Sequence, residues 1–167
     1  VLLLRHGAVE ASDRSRVNAS RFGAVTCAAG RVRRVLRLDP AAFDGICDLA
    51  FREYPLEMCG LIAGPPGQDH AVRFYPCHND AQSAKVYTIA PLDFMRAEDD
   101  ADDRGDEING DVHSHTHTEP YPSPTDVAQA PDPGWHYVIV SLKRDAPELR
   151  SYRIVDGQIT EEPVELA

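Results

Sequence analysis

Hydrophobic positions along this chain fall into two rhythms that alternate from about residue 33 onward. Arg33 to Leu38 alternates with a period of two and predicts a first strand, and Pro40 opens a helix in which Phe43, Ile46, Leu49 and Ala50 recur at helical spacing. That helix is expected to stop near Pro55. A short apolar run, Met58 to Ala63, predicts a strand; Pro65-Pro66-Gly67 is a turn, and Ala71 to Cys77 predicts the returning arm of a hairpin. Val86 to Ile89 predicts one more short strand. A second helix starts at about Pro91, carries Leu92, Phe94 and Met95, and is expected to dissolve in the acidic run Glu98 to Asp103. Ile108 to His115 and His136 to Leu142 are the strongest strand signals, separated by a short helix from Pro124 to about Gln129. Leu149 to Val155 and Gln158 to Val164 predict a terminal hairpin joined at Asp156-Gly157, a dipeptide favoured in type I′ turns. Several strands with two or three helices predict an α+β fold, or a mixed α/β one, with a mixed central β-sheet.

Composition sets the bounds. At 167 residues and 43% hydrophobic, the chain has enough apolar surface for one domain with a real core. A net charge of -10 argues against a nucleic-acid or anionic-membrane partner, because both demand basic patches. The charge is unevenly placed: residues 1–34 carry seven arginines against Glu10 and Asp13, a net +5, leaving -15 for the rest. The segment 1–33 has no sustained period and many small residues, and is expected to be a disordered extension ahead of a domain over 34–167. Its apolar run Val1 to Leu4 is shorter than a signal-peptide core and precedes the basic residues, a poor fit to a secretory signal. A valine-type alternative start and a clipped chain both fit its beginning. Without a secretory signal or a Cys-x-x-Cys pair, Cys27, Cys47, Cys59 and Cys77 are expected to be reduced thiols in a cytoplasm.

The chemistry concentrates in Asp111 to Asp126, DVHSHTHTEPYPSPTD. His113 and His115 are two apart, so on a strand both imidazoles project from one face toward a single ion. The proline-rich stretch Glu119 to Pro122 cannot continue the strand and returns the chain to Ser123-Pro124-Thr125-Asp126. Two imidazoles and one carboxylate leave a fourth position open, which distinguishes a catalytic zinc site from a closed structural one. Ser123, Pro124 and Asp126 also form a good helix N-terminus, and the two readings are compatible. His117 is an alternative third ligand, although the strand should be ending there. Cys59 paired with His78 or His113 could be a nucleophile, but an apolar strand is the usual home of a buried free thiol.

The spacing His113-x-His115, seven residues, Ser123, two residues, Asp126 resembles the signature of the JAMM (MPN+) metallopeptidases. The glutamate that family carries upstream matches Glu57, in Glu57-Met58-Cys59-Gly60-Leu61-Ile62-Ala63-Gly64. His113 to Val127 and the end of the chain, from Glu148 on, are closer to the actinobacterial Mec-type branch, the sulfur-carrier-protein cysteine peptidases, than to the eukaryotic deubiquitinases. The resemblance runs from about Val35 to Ala167. It implies a zinc ion held by His113, His115 and Asp126, Glu57 as general base and Ser123 as oxyanion support. It also implies a ubiquitin-like sulfur carrier ending in Gly-Gly as partner, from which an attached cysteine is released. Other outcomes compatible with the same fold are trimming the tail of a different sulfur carrier and a non-catalytic binding module of the MPN type.

Overall fold

The computed structural model describes residues 34–167. Their element order is β1 (Leu36–Leu38), α1 (Pro40–Glu53), β2 (Cys59–Gly64), β3 (His70–Ala71), β4 (Arg73–Cys77), α2 (Pro91–Arg104), β5 (Glu107–His115), α3 (Pro124–Gln129), β6 (His136–Ser141), β7 (Glu148–Val155), β8 (Gln158–Glu162) and β9 (Val164–Leu166). The expectation of disorder over 1–33 lies outside the described residues.

Six strands form one mixed sheet in the order β4-β2-β5-β6-β7-β8, in which only β5 and β6 run parallel. Parallel neighbours need a crossover, and the segment that makes it is the proline-rich loop followed by α3. The mixed α+β expectation therefore holds, and its one parallel junction is where the histidine strand ends. A smaller, all-parallel sheet, β3-β1-β9, was not legible in advance. It takes Ala71 out of the expected hairpin arm and Val164 out of the terminal hairpin, where Pro163 separates β8 from β9.

Alternation sorts the side chains of the central strands. Val112, Val138 and Val140 join Met58 and Ile62 in a core with Ile46, Leu49 and Ala50 of α1. On β6 and β7 the opposite face gives Tyr137, Ile139, Tyr152 and Ile154, packed with Val127 and Trp135. Asp111, His113 and His115 share their face of β5 by the same two-residue rule and stand off the valine core. The pairing of β2 with β5 shifts register between Ile62 and Ala63, a bulge at Asn109 whose side chain donates to the His70 carbonyl at 2.9 Å. The next residue is Gly110, where a Cβ would sit 2.3 Å from the His136 carbonyl oxygen, so only glycine lets β5 and β6 approach there.

Two expectations are corrected. Val86 to Ile89 is not a strand; it makes one bridge, Asn79 to Ile89. The Asn79 side chain replaces a ladder: its amide donates to the carbonyls of Glu57 (2.9 Å) and Val86 (3.2 Å), and its oxygen accepts from the N–H groups of Ala81 and Thr88, both at 3.0 Å. The second helix does not dissolve at Glu98 but runs through the acidic stretch to Arg104. Ala97 and Ala101 bury one stripe of it, Arg104 pairs with Asp100 one turn earlier at 2.7 Å, and Gly105 caps it in the left-handed region at φ 77°.

A buried polar cluster ties β6, β7 and β8 together at the end of the sheet away from His113 and His115. Glu162 meets His136 Nδ1 at 2.5 Å, the Ser151 hydroxyl at 2.7 Å and Arg153 Nε at 3.3 Å. Burial alone would raise its carboxyl, but the bonds from His136 and Ser151 and the Arg153 charge hold it below the ordinary carboxylate range. A depressed folded-state value means that the stabilisation is complete above the unfolded value of ~4.3 and is lost as pH falls through the folded one. Glu162→Gln is expected to cost about 2 kcal/mol near neutral pH. Its urea midpoint should also fall less steeply than the wild type's between neutral and acid pH.

Candidate active site

β5 ends at His115, and α3 begins at Pro124 with Ser123 as its N-cap. Ser123 Oγ accepts from the Asp126 N–H at 3.2 Å, and Asp126 Oδ2 accepts from the Ser123 N–H at 2.6 Å, a reciprocal capping box. This cap aims Asp126 back at the strand. His113 Nε2 and His115 Nε2 stand 3.2 Å apart, and Asp126 Oδ2 lies 3.5 Å from the first and 3.6 Å from the second. Donors bound at ~2.0–2.2 Å around a tetrahedral ion are separated by roughly 3.3 Å, so this triangle has the size of a three-ligand zinc face.

The proton arrangement agrees. His115 Nδ1 lies 2.8 Å from the Glu119 carbonyl, which only accepts, so Nδ1 carries the proton and the Nε2 lone pair points inward. Burial lowers the His113 pKa despite Asp126 beside it, keeping that imidazole neutral as a ligand must be. Burial opposes ionisation of Asp126, but both histidines hold its carboxyl far below the usual range. Burial opposes protonation of His115, but Asp126 and the Glu119 carbonyl raise its pKa, so an ionised carboxylate and two imidazole Nε2 atoms converge in a nearly dry place, a donor set for a divalent cation. His117 is not in this group: it is exposed, and its Nδ1 lies 2.7 Å from the Thr116 hydroxyl.

Glu57 sits where α1 hands over to β2, 6% exposed. Its N–H donates to the Ser83 carbonyl at 2.9 Å and its carbonyl accepts from Asn79, while the next N–H, of Met58, donates to Ser114 Oγ at 2.9 Å. The backbone under the carboxylate is thus anchored on three sides. Burial pushes the Glu57 carboxyl up to about 7, with His115 lowering it and Asp126 raising it, so both metal-ligand candidates are within electrostatic reach. A carboxylate near neutrality is matched to general acid–base work.

Ser123 spends only its acceptor capacity on the cap; its O–H remains a donor. Ser123→Ala should cost about 1 kcal/mol through the lost cap, checked by denaturant midpoint, and about 10²-fold in turnover if the hydroxyl also donates to an oxyanion. A stability loss alone would leave Ser123 a cap.

The nucleophile alternative fails. Cys59 lies opposite His113 in the β2–β5 register, yet its thiol donates to the Cys77 carbonyl at 3.7 Å and burial pushes its pKa up, so it stays a neutral thiol. Three residues escaped the sequence reading. Asn79 braces Glu57, and Tyr87 stacks on His113 with ring centroids 4.4 Å apart. The Tyr87 hydroxyl donates to Asp111 Oδ2 at 2.8 Å. Of the three only Asp111 left a trace, as a polar residue just ahead of His113.

A sequence model of the family described as prokaryotic homologs of the JAB domain matches residues 39–155, so the chain belongs to that family and is a JAMM-type peptidase. Over 119 residues it is 47% identical to the CysO-cysteine peptidase of Mycobacterium tuberculosis, covering 69% of this chain and 80% of the relative. It is 33% identical over 88 residues to a desampylase of Haloferax volcanii, covering 52% of this chain and 63% of that one. A solution structure of a Desulfitobacterium hafniense protein superposes with a TM-score of 0.72 at 29% identity, covering 80% of this chain and 92% of the other. No helix among the described residues is long and apolar enough to cross a membrane.

Proposed function

We propose that this chain is a zinc peptidase that hydrolyses the amide between the C-terminal Gly-Gly of a ubiquitin-like sulfur carrier and an attached cysteine, a step of cysteine synthesis. One observation carries the reading: His113, His115 and Asp126 converge in a triangle of 3.2 to 3.6 Å with Glu57 in electrostatic reach, on a chain 47% identical to a CysO-cysteine peptidase. Held by those three residues, zinc would supply a Lewis acid that polarises a carbonyl and acidifies water. Glu57 takes the proton from the attacking water and passes it to the leaving nitrogen. The Ser123 hydroxyl donates to the oxyanion of the tetrahedral acyl carbon. His115, fixed by the Glu119 carbonyl, and Asp126, fixed by the α3 cap, keep the donor set in place without reorganisation.

A glycine tail suits ligands this deeply set, at 2%, 5% and 8% exposure, because backbone without a Cβ approaches closest. We place the reaction in the cytoplasm, where Cys47, Cys59 and Cys77, free in this fold, stay reduced. A second reading, the same chemistry on another ubiquitin-like carrier, is favoured by the similarity to the desampylase. A non-catalytic module has no need of the complete donor set.

Intact-mass spectrometry of a carrier ending in Gly-Gly-Cys tests the proposal, after incubation with zinc-loaded protein and with a chelated control. Loss of one cysteine residue in the loaded sample alone is expected. Bound zinc without that loss would move the substrate to another carrier; neither zinc nor loss would leave the binding module.

A further inference from the structure

The reaction just described does not use one buried carboxylate on the same strand. Asp111 precedes His113 by two positions on the same face and is 4% exposed. Its Oδ2 accepts from Tyr87, but its Oδ1 is buried with no hydrogen-bond partner. Leaving a buried acceptor unmet costs ~1–3 kcal/mol, and more when it is charged, so a site that keeps one is shaped for a donor from outside. Asp111 and Tyr87 line a cleft of about 200 Å³ together with Phe94, Gln129 and Trp135. Phe94 and Trp135 stack there with centroids 6.2 Å apart. The cleft borders the metal ligands on two sides: the Tyr87 ring lies against His113, and Gln129 follows Asp126 by one turn of α3.

A carboxylate oxygen without a partner, set among aromatic rings, is chemistry for an organic ammonium. The volume falls below the ~300–1,000 Å³ of sites for drug-sized ligands and fits one amino acid. Hydrolysis of a peptide bond makes that cation at this place. Water adds across the C–N bond: its oxygen goes to the acyl carbon, and both of its protons end on the leaving nitrogen, the first carried there by Glu57. Near neutral pH the products are a carboxylate on the tail and an α-ammonium on the released amino acid. A glycine tail has no side chain to fill an aromatic cleft and carries no ammonium beside the scissile bond.

We propose, building on the peptidase reading above, that this cleft holds the amino-acid leaving group and that Asp111 Oδ1, with Tyr87 bracing Oδ2, receives its newly formed α-ammonium. Asp111 is thereby a specificity residue for a leaving group that ends as a free amino acid, as opposed to a lysine side chain of a second protein.

Trp135 is the only tryptophan of the chain, so its emission reports the cleft alone. The experiment titrates the zinc-loaded full chain with L-cysteine against 3-mercaptopropionate, which lacks only the amino group, and with L-serine against 3-hydroxypropionate, a pair without a thiol. Each amine is expected to saturate at a concentration at least about tenfold lower than its amine-free partner, and Asp111→Asn, checked for folding by circular dichroism, should erase the difference. Equal binding within each pair overturns the proposal, as does an emission change produced by a Gly-Gly-ended tail peptide instead. Weaker zinc retention in Asp111→Asn with amine selectivity intact also overturns it, making Asp111 a positioning residue for His113. Cysteine release from the carrier without any amine selectivity in the cleft removes this assignment and leaves the peptidase reading standing. Amine selectivity without release removes Asp111 from product handling, which likewise overturns the proposal.

Discussion

Glu57→Gln is expected to fold, to retain zinc at wild-type stoichiometry and to lose turnover by about 10²–10⁴-fold, the span that a positioned general base supplies. The substitution keeps shape and hydrogen-bonding capacity while removing the only carboxylate assigned to move a proton. It leaves the anchors on the backbone untouched, because Ser83, Asn79 and Ser114 hold main-chain atoms of Glu57 and Met58. Elemental analysis beside the rate of cysteine release separates the two properties; near-normal turnover with zinc bound would remove Glu57 as the base. The pH profile gives a second check. Burial puts the Glu57 carboxyl at about 7, and a cation between the three ligands draws it lower. The base form is lost as pH falls through that value, so the acid limb of kcat/KM is expected at or below pH 7 and should vanish in the Gln variant's residual rate.

Asp126→Ala is expected to do more damage, since one side chain holds three jobs. Its Oδ2 completes the donor triangle, accepts from the Ser123 N–H and balances two buried imidazoles. Removing it leaves two histidine nitrogens 3.2 Å apart with no anion between them and takes the acceptor from the Ser123 N–H, one half of the α3 capping box. Stoichiometric zinc should be lost, turnover should fall to background, and stability should drop by about 1 kcal/mol from the cap. A variant that keeps its zinc would point to another carboxylate as the third ligand. Comparing it with Ser123→Ala, which breaks the other half of the same capping box without touching the donor triangle, isolates the ligand role.

How far the chain alone revealed this site depended on whether the needed contact was local. His113 and His115 were legible because the two-residue strand period puts both on one face, and Ser123 with Asp126 because a capping box spans three residues. Glu57 was legible through its resemblance to a known motif; nothing within its own neighbourhood distinguishes it from a solvated acid. The long second helix was under-read because its acidic run hides the Ala97 and Ala101 stripe that packs it down. Val86 to Ile89 was over-read because its apolar alternation is spent on a loop pinned by Asn79.

By itself the sequence determined most of the elements, the mixed α+β class, the order of the motifs and the types of donor at the candidate metal site. Those properties rest on short-range rules: periodicity, turn chemistry and caps. Only the tertiary structure decided that β5 and β6 run side by side in parallel, so that the crossover swings Asp126 over the end of the histidine strand. It alone brought Glu57 into reach across more than fifty residues of chain, and laid Tyr87 on His113. It also left one oxygen of Asp111 facing nothing of its own. The reason is physical: pKa values, tautomers and unmet hydrogen bonds are properties of burial and of neighbours, and neighbours distant in sequence exist only once the sheet has formed.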